Sequence, residues 1–412
     1  MKRKIALVCV AALAGTMMLT GCGSKEEGKA EAAGDGKAKV RFATWDVADD
    51  VDAQQALVDK FNEEHDDIEV TLEAYGSDFD TKISAGMGSG DTPDVVYMWN
   101  YPAYANGLEP LDEYIEKEGE DFKDNIYSTL WNYNSLDGTT YGMPVGFTTH
   151  ALFYNKDLFA EAGIDEPTDD WTWEDLKTAA KTIEEKTGQK GFAFQMKPDP
   201  YDFEMYLWSN GTAYCDEEGQ MAGNIDSAES QEVFQMFQDM EKDGYAIATE
   251  KNGTDEFRAG TAAMYIYGSW SIGSLDKDGM NYGIAKIPSF KGKTSVSILS
   301  SSGLSISKDS KNKEAAWEFV KYWTGEECNK ARIGIELPVL NSVVESEGIM
   351  KEEKYAPFYK MLEQSDGHTP ASFLIEDWSE ISENLSLSFE QLFNPSAYMD
   401  VNEVLTEAAD AQ

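Results

Sequence analysis

The sequence predicts an α/β protein, with mainly parallel sheets flanked by helices and divided over two domains. Three observations predict it. Apolar segments of period two take turns with segments of helical period. That alternation runs as βαβαβ before Trp99 and starts again after Met143-Pro144. Behind a leader-like N-terminus lie about 375 residues, a length that favours two domains over one.

The first strand is carried by Val40, Phe42 and Thr44, which alternate and stop at Trp45-Asp46. Ala53, Ala56, Leu57 and Phe61 then repeat at helical spacing, Ile68, Val70, Leu72 and Ala74 alternate again, and Ile83 sits in a short helical stretch. The run Asp94 to Met98 is a buried strand introduced by Thr92-Pro93. In the second block Leu152 to Tyr154 reads as a strand. Thr172 caps a helix with Asp175 three places on, and Leu176, Ala179, Ala180 and Ile183 form its buried stripe. Trp171 and Trp173 flank that cap and read as packing. Further strands are expected at Phe192 to Gln195 and at Ala262 to Tyr267, the latter ending in Gly268-Ser269-Trp270. Leu304 and Ile306 alternate, and Ala316, Phe319, Val320 and Trp323 make a helix that takes Trp317 and Trp323 into its packing. The tail is helical through Leu374, Trp378, Ile381 and Leu385, and again from Glu403 to Ala408. No internal repeat, proline-rich tract or heptad appears.

The N-terminus reads as export machinery. Lys2, Arg3 and Lys4 precede an apolar run from Ile5 to Leu19, and Leu19-Thr20-Gly21-Cys22 closes it. The run is shorter than the roughly 20 apolar residues of a membrane span. Small residues directly before a cysteine mark a lipoprotein signal, so residues 1–21 are expected to be removed and Cys22 to carry lipid. Residues 22–36 hold no large apolar side chain and are expected to form a disordered tether.

The formal charge is −42, and removal of residues 1–21 takes three cations and no acid, leaving −45. Nucleic acid is excluded as a partner by such a charge. The only membrane contact expected is through lipid on Cys22. Cys215 and Cys328 stand far apart in sequence and read as two separate, partly buried thiols.

Catalytic constellations do not emerge. There is no G-x-S-x-G elbow, and Gly292-Lys293-Thr294 lacks the earlier glycine of a phosphate loop, because Ile287 stands there. His65, His150 and His368 have no partners at metal-ligand spacing and read as surface or loop histidines, so no metal or cofactor is expected. Carboxylates and aromatic residues do recur together at the ends of expected strands: Trp45-Asp46, Trp99-Asn100, Asp199 with Tyr201 and Trp208, and Ser269-Trp270. Ligands of open α/β sheets bind in the crevice outside the carboxyl ends of strands. Flat aromatic faces suit the apolar C–H patch of a sugar ring, while Asp and Asn serve its hydroxyls. These residues, with Phe147, are the candidate ligand contacts.

These motifs also carry a resemblance. Gly90-Asp-Thr-Pro-Asp-Val-Val96, Gly107-Leu-Glu-Pro-Leu-Asp112, Tyr141-Gly-Met-Pro144, Ala151 to Phe159, Trp173-Glu-Asp-Leu176, Phe257 to Met264, Gly268-Ser-Trp270, Lys313 to Val320 and Glu336-Leu-Pro338 follow one another in an order. In that order they resemble the extracellular solute-binding proteins of ABC sugar importers, the group that includes maltose-binding proteins. The resemblance implies a two-lobed periplasmic-binding-protein-like fold of type II that closes on a sugar between its lobes. Lobe one would hold residues 37–147 and 289–338, lobe two residues 148–288 and 339–412. It further implies a monomeric receptor without enzymatic activity, with a carbohydrate ligand and an ABC permease as partners. In maltose-binding relatives the Trp of a Gly-x-x-Trp turn stacks on sugar, and Trp270 occupies that place. Asp199 and Tyr201 match an acid-x-Tyr contact pair, Asp46 a strand-end acid, and Trp378 falls near a tail-helix aromatic that reaches the ligand. Maltose binders place a Glu within the stretch corresponding to Gly146–Thr148; none aligns here, which argues against maltose itself. A polyamine-type receptor of the same fold and a secreted glycoside hydrolase stand as the alternatives.

Overall fold

The computed structural model describes residues 36–365 and 367–412. The export signal, Cys22 and the tether up to residue 35 lie outside the described residues.

Eleven strands are described: β1 Ala38–Thr44, β2 Ile68–Ala74, β3 Val95–Met98, β4 Ser135–Leu136, β5 Thr139–Thr140, β6 Met143–Asn155, β7 Phe192–Gln195, β8 Ala246–Thr249, β9 Met264–Gly268, β10 Tyr282–Ala285 and β11 Leu299–Ile306. The first lobe is built on β2-β1-β3, all parallel, extended by β11, antiparallel to β3, and then by β6, antiparallel to β11 and so running in the direction of β1 to β3. The chain passes from β1 to β2 on one side and returns to β3 on the other. The order therefore reverses between β1 and β3, and a crevice opens at their carboxyl ends.

The second lobe hangs on the far half of the same long strand. Residues 143–149 of β6 pair with β11, and residues 150–155 pair with β9 and β10. A strand of 13 residues, all of them buried, thus crosses from one lobe to the other. Burial on both faces explains why this stretch shows no alternation. Two of its polar groups bond to distant segments: Thr149 Oγ1 donates to Phe358 O at 2.7 Å, and the His150 N–H donates to Ser297 Oγ at 2.6 Å, while both His150 ring nitrogens are buried without a hydrogen-bond partner among the described residues. The mainly parallel pairing expected holds for β1, β2 and β3 and for β7 with β8, while the crossing strands β6 and β11 pair antiparallel.

Apolar side chains gather in two clusters. One joins Phe42, Phe61, Tyr97, Phe319, Val320 and Trp323 around the first sheet. The other joins Leu152, Leu176, Phe192, Phe203, Phe234, Phe237 and Phe389. The capped helix Trp173–Thr187 forms with its full capping box, and Trp173 is buried against Phe192, Tyr206 and Phe237. Trp317 and Trp323 are likewise buried in helix packing. The tail divides. Val339, Leu340, Val343 and Val344 join the first cluster, where Asn341 N–H donates to Asn125 O at 2.7 Å, whereas the helices Trp378–Phe393 and Val401–Asp410 pack in the second.

Two expectations about reactive side chains meet the structure here. Cys215 and Cys328 are free and buried, and burial pushes both thiols up, to about 12 and about 11. His150 is not a surface residue. It is 2% exposed in mid-strand, and burial pushes it down to about 3, so it stays neutral. Among the described residues no group of His, Cys, Asp and Glu could hold a metal ion, and no helix is long and apolar enough to cross a membrane.

Candidate functional site

Where the strand order reverses, β1 hands its end to Trp45-Asp46 and β3 to Trp99-Asn100. From the second lobe the turn after β9 brings Trp270. That turn is tied to the crossing strand, because Ser269 N–H and Oγ bond to Thr148 Oγ1 at 2.8 and 2.9 Å. Trp45, Asp46, Trp99, Phe147 and Trp270 line a cavity of about 620 Å³. A second cavity of about 660 Å³ is lined by Asn100, Asp199, Tyr201, Phe373 and Trp378; it shares Trp99 and Ser300 with the first, so the two are sections of one cleft. Such volumes suit a small-molecule ligand.

The rings are braced from behind. Trp45 stands edge-on to Phe79 at 5.3 Å and tilted against Tyr97 at 5.0 Å. Trp270 stands edge-on to Tyr267 at 5.1 Å and perpendicular to His150 at 5.9 Å. Yet Trp99 and Trp270 keep 44% and 47% of their surface exposed, which is unusual for so large an apolar ring and leaves a face for a ligand.

The polar members divide by what else they do. Asp46 Oδ2 accepts from Thr44 Oγ1 at 3.3 Å and from the Gln54 amide. Burial first, then the charges of Glu336 and Asp50, push its carboxyl up to about 6, against the opposing effects of Thr44 and Arg332. Asn100 caps a short helix by accepting from Ala103 N–H at 3.2 Å, and Asp199 caps the helix Pro200–Ser209 by accepting from Tyr201 N–H at 2.9 Å. Both therefore have a local structural task as well as a place in the cleft. Tyr201 donates to Leu299 O at 2.5 Å, which fixes its ring against the crossing strand β11.

Trp208 lines neither section. It is buried in an adjoining recess of about 140 Å³ beside His368, with ring centroids 5.2 Å apart, and that recess shares Tyr133 and Phe373 with the second section. It lies eight residues beyond the start of its helix, and the helix carries it away from the end at which Asp199 and Tyr201 face the cleft.

Glu336, to which the sequence analysis gave no role, lines the first section. Its Oε1 accepts from Ser302 Oγ at 2.7 Å and its Oε2 from Arg332 Nε at 3.1 Å. Arg332 is buried and spends its other nitrogens on Trp323 O and Val145 O, at 3.0 and 2.8 Å. The signal that could have found the pair is the i,i+4 spacing of an Arg and a Glu. Among the described residues no Lys or Arg lines either section, while Asp46, Asp50 and Glu336 line one and Asp199, Glu376 and Asp377 the other.

Residues 45–330 match the family model of the bacterial extracellular solute-binding protein. A putative binding protein of Brucella abortus is 27% identical over 345 residues, covering 80% of each chain. An sn-glycerol-3-phosphate-binding periplasmic protein of the same organism is 28% identical over 255 residues, 57% of this chain and 58% of that one. Among solved structures, an ABC substrate-binding protein from Listeria monocytogenes in complex with cycloalternan superposes with a TM-score of 0.78 at 24% identity, over 91% of this chain and 98% of that one. The superposition establishes the two-lobed, type II periplasmic-binding-protein-like fold. A cleft lined by tryptophans suits solute capture, and the match over most of the chain decides the matter: the protein belongs to the bacterial extracellular solute-binding protein family, whose members bind solutes and are not enzymes.

Proposed function

We propose that this chain is a lipid-anchored receptor that captures a carbohydrate, an oligosaccharide by the length of its cleft, and delivers it to an ABC permease. The observation that carries the reading is the two-section cleft, with Trp45, Trp99, Trp270 and Trp378 along it and carboxylates between them. Ring faces take the C–H patches of sugar rings and carboxylates accept from hydroxyls. The Listeria neighbour was solved with a cyclic saccharide, which supports the reading. In this reading Trp45, Asp46, Trp99, Phe147 and Trp270 contact one end of the ligand and Asn100, Asp199, Tyr201 and Trp378 the other.

In this reading the lobes are residues 37–147 with 289–338 and residues 148–288 with 339–412, save that the packing of Val339, Leu340, Val343 and Val344 in the first cluster supports counting that stretch with lobe one. They move about the crossing strands near Phe147. Sugar bridging both lobes raises the closed population by its differential affinity for that state. Lipid on Cys22 and the tether to residue 36 keep the receptor near its permease at the outer face of the membrane and raise its local concentration there.

The acidic lining favours one second reading, a cationic solute such as a polyamine. Binding that collapses at modest salt marks that case. The absence of lining Lys and Arg argues against a phosphorylated ligand like that of the Brucella relative. A thermal-shift screen of the chain against neutral mono- and oligosaccharides, spermidine and glycerol 3-phosphate separates the three. A neutral saccharide giving the largest rise supports the reading, and a rise with spermidine or glycerol 3-phosphate alone refutes it.

A further inference from the structure

Gly146 stands in the crossing strand β6, and a Cβ placed on it would lie 2.6 Å from Glu336 Cδ and 2.8 Å from Oε1. No side chain fits there, because a carboxylate from another part of the chain already fills the space. That carboxylate is fixed at both oxygens, by Ser302 and by Arg332. The guanidinium that holds it is fixed in turn by two backbone carbonyls and lies 5.3 Å from the centre of the Trp323 ring. An ion pair with one buried member is weak evidence for stability, since apolar residues of the same volume often serve as well. Its place explains it better. Glu336 lines the section formed by Trp45, Asp46, Trp99 and Trp270, and the next residue, Leu337, bridges Phe147 in β6. The carboxylate is thus set on a segment that meets the crossing strand, next to the strand-end acid of β1.

A carboxylate only accepts hydrogen bonds, so a ligand group lying between the Asp46 and Glu336 carboxylates must donate. Resting on the carbohydrate reading, the geometry points to Glu336 as a ligand contact that acts with Asp46: the two carboxylates accept from hydroxyls of the sugar ring that stacks on the tryptophans of this section. Arg332 is a positioning residue that holds the Glu336 carboxylate in place, and Gly146 supplies the room.

The test is titration calorimetry of the full mature chain with maltotriose, cellotriose, mannotriose, raffinose, glucose and galactose, for the wild type and Glu336→Gln. The amide keeps the shape and an acceptor for Ser302 but loses the charge. A drop of ten-fold or more in affinity for each sugar the wild type binds supports the proposal, provided the circular dichroism spectrum of the sugar-free variant is unchanged. If that variant does not fold, Arg332→Met/Glu336→Met removes the pair without leaving a buried charge, and the same loss is expected of it. Unchanged affinity in the folded variant overturns the role of Glu336 and leaves the carbohydrate reading standing. A wild type that binds none of the six overturns both.

Discussion

Substituting Glu204 by Gln tests how burial in the second lobe supports the cleft. Glu204 is 1% exposed, and its Oε2 accepts from the Ala371 N–H at 2.9 Å, at the head of the segment whose residues 372–379 line the second cavity section. Burial pushes its carboxyl up to about 8, against the opposing effect of the Ala371 and Tyr214 backbone N–H groups. The folded state therefore holds a proton that the unfolded state releases near the usual glutamate value of about 4.3. For a raised acid the stabilising contribution is fully present below the unfolded value and is lost as pH rises through the folded one. Each unit is worth about 1.4 kcal/mol, so between pH 5 and pH 8 Glu204 withdraws about 3 kcal/mol. With an unfolding entropy of about 2.1 cal/mol/K per residue over about 375 residues, that is a fall of about 4 °C in Tm. Asp202, two places earlier and pushed up to about 7 by burial and by Asp199, adds a loss of the same sign, but its side chain is 38% exposed and water screens it. The informative quantity is the difference between proteins. Differential scanning calorimetry at pH 5 and pH 8 should show the wild type losing about 4 °C more than Glu204→Gln. Equal pH dependence in the two would refute the reasoning.

Three further outcomes are expected. Gly142→Ala should cost about 1 to 3 kcal/mol, because its Cβ would strike the Tyr101 ring and hydroxyl in the core, and Tyr101→Phe should relieve part of that cost; denaturant titration of the two singles and the double reads the coupling. Sugar affinity should weaken up to about ten-fold between pH 7.5 and pH 5, as Asp46 gains a proton through its raised value of about 6 in the field of Glu336, Asp50 and Arg332; titration calorimetry at the two values checks it, and a flat profile removes Asp46 from the contact set. Cys22→Ala should bind sugar as the wild type does and yet be released from cells, which fractionation and immunoblotting would show; full retention contradicts the lipid anchor.

The parts of the fold that were legible are those with a period. β1, β2 and the helix Trp173–Thr187 announce themselves because one face of each meets the core. β6 was read only at Leu152 to Tyr154, since burial on both faces and the run Gly146 to His150 erase the pattern of its first half. β11 begins with Leu299-Ser300-Ser301-Ser302, which carries no apolar alternation; its serines bond instead, Ser301 to Gly146 O and Ser302 to Glu336. Strand ends were the useful signal for the cleft. Trp45, Trp99 and Trp270 lie where strands stop, and all three line it. Trp208 shares its helix face with Tyr201 but stands two turns further on, so proximity in sequence to Asp199 does not put it in either section of the cleft. Glu336 stayed hidden because its task depends on Gly146, about 190 residues earlier, and close approach of two segments leaves no mark on either alone.

The central claim is that a sugar is held on the exposed tryptophans of a two-lobed cleft, and Trp270 carries it most directly. Titration calorimetry with the saccharide that gives the largest thermal shift should find one site per wild-type chain, and in Trp270→Ala an affinity lower by about thirty-fold, the loss of about 2 kcal/mol typical of a buried aromatic anchor. Equal affinity in a folded Trp270→Ala protein would contradict the account.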